Sequence, residues 1–231
     1  MNDNMTFVFP PVPATTLPVS GTRDVFPVNR IYCVGRNYAA HAREMGHDPD
    51  REPPFFFQKN PSCLVTGGTF RMPPAATDVH HEIELAVALK SGGSGIAPGR
   101  ALDHVFGYAV ALDMTRRDLQ AELKKLGRPW EVSKAFENSA PCSAIQPASA
   151  IGHPTRGEIR LDINGERRQS GDLSQLIWAV PDLIARLSAF FTLQPGDIIL
   201  TGTPDGVGAV QPGDKLAGTI AGVGTLTVDV I

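Results

Sequence analysis

The chain has 231 residues, long enough to bury one sizeable core and short enough to be a single large domain. Hydrophobic residues make up 42% and charged residues 19%, with a net charge of −3, so the basic footprint of a nucleic-acid-binding protein is excluded. Cys33, Cys63 and Cys142 form no paired pattern, which excludes a disulfide framework, and no apolar run approaches the ~18 residues of a membrane span. The start is broken by prolines and lacks a basic leader, so no secretory signal is read and a cytoplasmic location is expected.

Residues 1–29 carry Pro10, Pro11, Pro13, Pro18 and Pro27 and are expected to form an extended arm or edge strands. Residues 30–34 read as a short strand ended by Gly35. Residues 37–45 have helical character, with Gly46 placed to stop the helix. A polar, proline-bearing loop follows to residue 54, then an apolar strand at 55–57. Residues 81–89 alternate with period two, which predicts a strand with two unlike faces. Residues 105–112 read as an apolar strand and 115–126 as a helix stopped by Gly127 and Pro129. The run 130–136 reads as strand-like. Residues 160–168 form a hairpin with Asn164-Gly165 at its tip. Residues 173–191 read as mostly helix, interrupted near Pro181, and strands are expected at 197–201, 215–220 and 225–231. Strands outnumber helices, so a mainly β architecture with some α, in which a rolled sheet packs on itself, is expected.

Four groups of residues carry candidate chemistry. Glu82 and Glu84, two apart on a strand, point to one face, and Asp113 ends another strand. Three carboxylates without clustered cysteines suit a hard divalent ion; the plainer alternative is a solvated strand face. His41 and Glu44, three apart on a helix, share a face and form either a general-base dyad or an ordinary surface pair. Arg117 and Gln120 are also three apart; they are either donors to a substrate or helix support for Asp113. Lys134 is unusual in a largely apolar run, since burying an unpaired charge is costly; the plainer alternative is a snorkelling edge residue. The strand-to-turn segment 196–208 offers backbone N–H groups that can meet a carboxylate, and does not match a phosphate-binding loop.

These pieces occur in an order that resembles the fumarylacetoacetate hydrolase family, in its short single-domain branch. The segments that carry the resemblance are IYCVGRNYAAH (31–41) with Glu44, HHEIEL (80–85), GYAVALDMTRRDLQ (107–120), SKAF (133–136) and GDIILTGTPDGVG (196–208). The resemblance implies a mixed β-roll sandwich over residues 30–231 as one catalytic domain, usually a homodimer, with the arm of residues 1–29 outside the motif set. It implies Glu82, Glu84 and Asp113 as ligands of Mg2+ or Mn2+, and His41 with Glu44 as a water-activating dyad on a mobile lid. Lys134 joins them as a catalytic group. Arg117, Gln120 and Thr203 are implied around the substrate, and Arg36, then Arg43 and Lys59, are candidates for a second substrate carboxylate.

The implied substrate is a 2,4-dioxo acid. Water attacks the distal carbonyl, the C3–C4 bond breaks, and the departing fragment is pyruvate in its enolate form, stabilised by the ion as Lewis acid. The stretch GHDPDREPPFFFQK (46–59) resembles bacterial fumarylpyruvate hydrolases of aromatic-acid breakdown, which make fumarate and pyruvate. Acylpyruvases and oxaloacetate decarboxylases or tautomerases of the same branch share the motif positions, and a metal-binding scaffold without catalysis is a remoter alternative.

Overall fold

The structure, a computed structural model, describes residues 7–40 and 53–231. Its strands in chain order begin with β1 (Thr16–Pro18), β2 (Val25–Pro27), β3 (Ile31–Gly35), β4 (Phe55–Lys59), β5 (Leu64–Val65) and β6 (Thr69–Phe70). Then come β7 (Val79–His81), β8 (Ile83–Leu89), β9 (Val105–Leu112), β10 (Thr115–Arg116), β11 (Ala140–Pro141) and β12 (Gln146–Pro147). The last are β13 (Glu158–Ile163), β14 (Glu166–Asp172), β15 (Ile198–Leu200), β16 (Gly208–Ala209), β17 (Lys215–Ile220) and β18 (Gly224–Val230). Helices are short and few: α1 (Pro98–Ala101), α2 (Arg117–Leu126), α3 (Glu131–Lys134), α4 (Ala148–Ile151) and α5 (Val180–Phe190). None among the described residues is long and apolar enough to cross a membrane.

A six-stranded mixed sheet, ordered β12-β9-β8-β15-β3-β4, packs against a five-stranded sheet ordered β14-β13-β17-β18-β6. Strand parity decides what each face of the larger sheet carries. Tyr32 and Val34, Leu85 and Val87, and Tyr108 and Val110 face the five-stranded sheet and α5, forming the main core. Ile31 and Cys33, Ala86 and Ala88, and Ala109 and Ala111 face the other way, against Leu17, Val19, Phe26 and Val28 around the β1–β2 hairpin. The two sheets close tightly at Gly218, where an added Cβ would lie 2.9 Å from the Ile83 side chain.

The same parity places the acidic residues. Glu84 continues the Ala86–Ala88 row, and Ile83 pairs with Leu112, so the next step of the register sets Glu82 beside Asp113, whose N–H donates to the Glu82 carbonyl at 2.8 Å. β15 lies between β8 and β3, antiparallel to the first and parallel to the second. Consequently the turn after β15, the end of β3, the start of β8 and the end of β9 all meet at one edge of the sheet.

Several expectations are corrected at this level. The run 130–136 is not strand-like: α3 forms there, with Ser133 and Lys134 N–H groups donating to the Trp130 carbonyl. Trp130 sits against Phe55 and Phe57 of β4, at ring separations of 5.1 and 5.9 Å, and this tertiary packing overrides the strand-like apolar pattern. The strand expected over 81–89 is interrupted at Glu82. The helix expected over 173–191 is confined to α5; before it, Leu173–Gln175 is a 3-10 turn closed by a reciprocal cap between Asp172 and Gln175. The expected helix at 37–45 falls largely outside the described residues.

Candidate active site

Gly35 is the last residue of β3, where a side chain would collide with the Phe55 ring, 2.1 Å from an ideal Cβ. Arg36 follows with φ of +61°, a left-handed conformation uncommon for a residue with a side chain, and turns the chain at the cavity rim. Its guanidinium lies 5.1 Å over the Phe55 ring. Asn37 is fully buried and pins the next segment: its side chain donates to the carbonyls of Thr201 and Trp178 and accepts from the Trp178 N–H. Gly202 comes so close to Asn37 (2.8 Å to an ideal Cβ) that only glycine fits, at φ of +95°.

A cavity opens at this edge. Phe55, Phe57 and Trp130 line it, together with Glu82, Glu84, Lys134, Arg117, Gln120 and Thr203, and Arg36 and Lys124 are also on its lining. Glu82, Glu84 and Asp113 are 6%, 2% and 0% exposed, and a ligand oxygen from each lies within 4.8 Å of the others. The solvated-face alternative is therefore overturned. Burial, then the neighbouring Asp113 and Glu82 charges, push the Glu84 carboxyl well above its ordinary range, although the Gly202 N–H at 2.6 Å favours its ionised form.

Bases meet these acids directly. Lys134 Nζ lies 2.8 Å from Glu82 Oε2 and 2.7 Å from Asp113 Oδ2, and the lysine is 2% exposed, which excludes the snorkelling alternative. Burial works against its charge, yet Asp113 and Glu82 outweigh it and raise the ammonium's pKa. Two of its three hydrogens are spent on these carboxylates, leaving one for the cavity. Arg117 donates to Glu82 Oε1 at 2.6 Å and to Gln120 Oε1 at 2.6 Å. With its oxygen engaged, Gln120 has its carboxamide nitrogen to offer.

Lys59 is placed elsewhere. It is a fully buried residue behind Asp113, donating to the carbonyls of Met114 (3.2 Å) and Lys134 and to Ser139 Oγ (2.9 Å), and it does not line the cavity. Its expected contact with a substrate carboxylate is corrected on that ground: every ammonium hydrogen is already taken inside the protein. Asp113 Oδ1 lies 2.8 Å from Lys59 Nζ as a buried ion pair, without a directed hydrogen bond, whereas the Glu84 carboxylate is met by the Gly202 N–H. Three buried carboxylates converging in this way are the hard oxygen donor set that a divalent ion such as Mg2+ or Mn2+ takes. His41, Arg43 and Glu44 lie outside the described residues.

Sequence reading missed Lys124 and Gln169. Lys124 had a signal: it is seven residues after Arg117 and four after Gln120, on one helix face. Desolvation, then Arg36 and Arg117, lower its pKa. Gln169 had none, since it sits in a strand whose neighbours are mostly exposed.

Comparison with known proteins adds the family. The model of the fumarylacetoacetate hydrolase C-terminal domain matches residues 30–231. The chain belongs to the fumarylacetoacetate hydrolase family. The crystal structure of fumarylpyruvate hydrolase from Pseudomonas aeruginosa, in complex with Mn2+ and pyruvate, is 50% identical and superposes with a TM-score of 0.96 over 98% of this chain and 99% of that one. Among sequence relatives, the mitochondrial oxaloacetate tautomerase FAHD1 of Arabidopsis thaliana is 43% identical over 87% of this chain and 90% of its own length. Oxaloacetate tautomerase YcgM of Escherichia coli is 42% identical over 85% and 90%. The mixed sheets with few helices are those of the family's C-terminal domain, and the family is one of enzymes, hydrolases and isomerases among them.

Proposed function

We propose that the protein is a divalent-metal-dependent hydrolase of 2,4-dioxo acids, with fumarylpyruvate as the preferred substrate and fumarate and pyruvate as products. The observation that carries this reading is the buried carboxylate trio, two of its members bridged by Lys134, at a cavity lined by aromatic rings and donors. Likeness to a fumarylpyruvate hydrolase over almost the whole of both chains supports it.

Glu82, Glu84 and Asp113 would hold Mg2+ or Mn2+, whose Lewis acidity acts on the oxygens of a 2-oxo acid. Lys59, Lys134 and Arg117 pair with Asp113 and Glu82, and their three positive charges equal in number those of the three carboxylates. A divalent cation therefore leaves the site with a net positive charge, matched to a dianionic substrate. Arg117, Gln120 and Thr203 orient the 2-oxo acid end. His41, oriented by Glu44, takes a proton from water as its oxygen attacks C4. The C3–C4 pair of electrons then departs on C3 as the pyruvate enolate, which is protonated to pyruvate, while the acyl fragment leaves as a carboxylic acid. The free hydrogen of Lys134 stabilises developing negative charge, a contribution typically worth ~3–4 kcal/mol. Arg36 and Lys124 receive the far carboxylate, and Phe55, Phe57 and Trp130 pack on the carbon chain between.

The second reading is an oxaloacetate tautomerase, favoured by the names of the sequence relatives. It needs proton movement at C3 but no attacking water. Initial rates on fumarylpyruvate, acetylpyruvate and both tautomers of oxaloacetate, with Mn2+, separate the two. Hydrolysis of fumarylpyruvate at the highest kcat/KM supports the proposal, as does loss of hydrolysis in a His41→Ala variant that still binds Mn2+. Efficient oxaloacetate tautomerisation with no acid released from fumarylpyruvate replaces it. Glu84→Gln is expected to abolish Mn2+ binding and activity together.

A further inference from the structure

Gln169 lies on β14, most of whose residues are exposed, yet its side chain is wholly buried and has four partners. Its Oε1 is 3.0 Å from the Ile83 N–H and 2.9 Å from His81 Nδ1. Its Nε2 is 2.8 Å from the Pro204 carbonyl and 2.8 Å from Thr203 Oγ1. Two of these partners have only one possible role: a backbone N–H donates and a backbone carbonyl accepts. They fix the direction of the amide, because turning it over would set N–H against N–H at Ile83 and oxygen against oxygen at Pro204.

Once the amide is fixed, the other two partners have no choice. His81 donates through Nδ1, and Thr203 Oγ1 accepts. The hydroxyl hydrogen of Thr203 is then left over, and among the described residues no acceptor takes it. Thr203 lines the cavity beside Glu84 and Lys134. The turn that bears it is tied on its other side by the Gly202 N–H on Glu84.

We propose that Gln169 is a positioning residue that makes Thr203 an obligate hydrogen-bond donor to the anionic oxygen of a bound 2-oxo acid. The same amide ties that donor to Ile83, the residue between Glu82 and Glu84, so donor and carboxylates are held in one frame. This role rests on the proposed binding of 2-oxo acids and adds to it a group outside the cavity lining that sets the polarity of one inside it.

The experiment is calorimetric binding of oxalate, a mimic of the pyruvate enolate, to the full chain with saturating Mn2+. Gln169→Glu keeps the volume but presents oxygen to Thr203, whose hydrogen then turns away from the cavity. Gln169→Glu and Thr203→Val are each expected to weaken oxalate about tenfold or more, the range for a hydrogen bond to a charged group. The double variant is expected to bind oxalate no more weakly than Thr203→Val alone, with Mn2+ affinity close to the parent's, while the oxygen set against the Pro204 carbonyl lowers the Tm of both variants that carry Gln169→Glu. Unchanged oxalate binding by Gln169→Glu overturns the role, and so does a loss that adds in full to that of Thr203→Val. Where Gln169→Glu does not fold, Thr203→Val against Thr203→Ser decides: oxalate binding by the valine variant equal to the parent's removes the donor. A parent protein that binds Mn2+ but neither oxalate nor pyruvate refutes the proposed function itself.

Discussion

Two lysines with the same formal charge have opposite tasks here. Lys134 spends two hydrogens on Glu82 and Asp113 and lines the cavity, whereas Lys59 is enclosed behind Asp113 with all its donors used. Lys59→Met should therefore act on stability first. It strands the Asp113 carboxylate and the Met114 and Lys134 carbonyls, and removal of one partner from a buried charge cluster costs about 3–5 kcal/mol. Urea unfolding is expected to show a loss of unfolding free energy of that size; a stable variant with a raised KM would instead place Lys59 at the substrate. The acidic trio was legible in the sequence because period-two spacing and strand ends are local properties. The division between the lysines was not, since it depends on which side of Asp113 each chain segment passes, and that is set by the register of β8 with β9 and by the docking of α3 on β4.

Among the elements, strand parity and turn residues were readable, and tertiary partners were not. Asn164-Gly165 marks the β13–β14 hairpin, and Gly127 at φ of +62° caps α2 as its position implied. Gln169 on that same hairpin gave no sign of its burial, because only the packing of β14 over the turn after β15 brings His81, Ile83 and Thr203 around it. The end of β14 is secured by Asp172, which accepts from the Ser174 hydroxyl (2.6 Å), the Ser174 N–H (2.9 Å) and the Gly157 N–H (3.1 Å). The Ser174 hydroxyl first, then these amides, hold its carboxyl below the ordinary range. A lowered folded pKa contributes stability above the unfolded value of about 3.9, and that contribution is lost as pH falls through the folded value. Asp172→Ala is thus expected to cost about 1 kcal/mol near neutral pH, the usual worth of such a cap. The gap between variant and parent, followed by chemical unfolding from pH 7 downward, should narrow below about pH 4. A gap that stays constant into strong acid would assign the loss to something other than the ionised cap.

For the whole molecule, the open question is how the proline-bearing segment before residue 30 relates to the remainder. The family model begins at residue 30, yet the six-stranded sheet has a second apolar face that the β1–β2 hairpin covers. Backbone bonds sew the hairpin down: Ser20 N–H to the Ile145 carbonyl and Ile145 N–H to the Pro18 carbonyl. Leu17, Val19, Phe26 and Val28 are all buried there, with Phe26 against Phe106 at 5.4 Å. At about 1.5–3 kcal/mol for each fully buried side chain, the four contribute roughly 6–12 kcal/mol, comparable to the ~5–15 kcal/mol net stability of a domain. A chain cut to residues 30–231 should therefore fail to hold a cooperative fold, although every metal-site residue is retained. Cys33 and Cys142 report on this, since both lie under the hairpin in that second cluster. Burial pushes the Cys142 thiol up to about 12 and raises Cys33 well above its ordinary value, so neither ionises near pH 8 while covered. Thiol titration at pH 8 should find the full chain unreactive over the time in which the truncated chain labels. Slow labelling and a sharp melting transition in the truncated chain would make the hairpin a dispensable cover rather than part of the core.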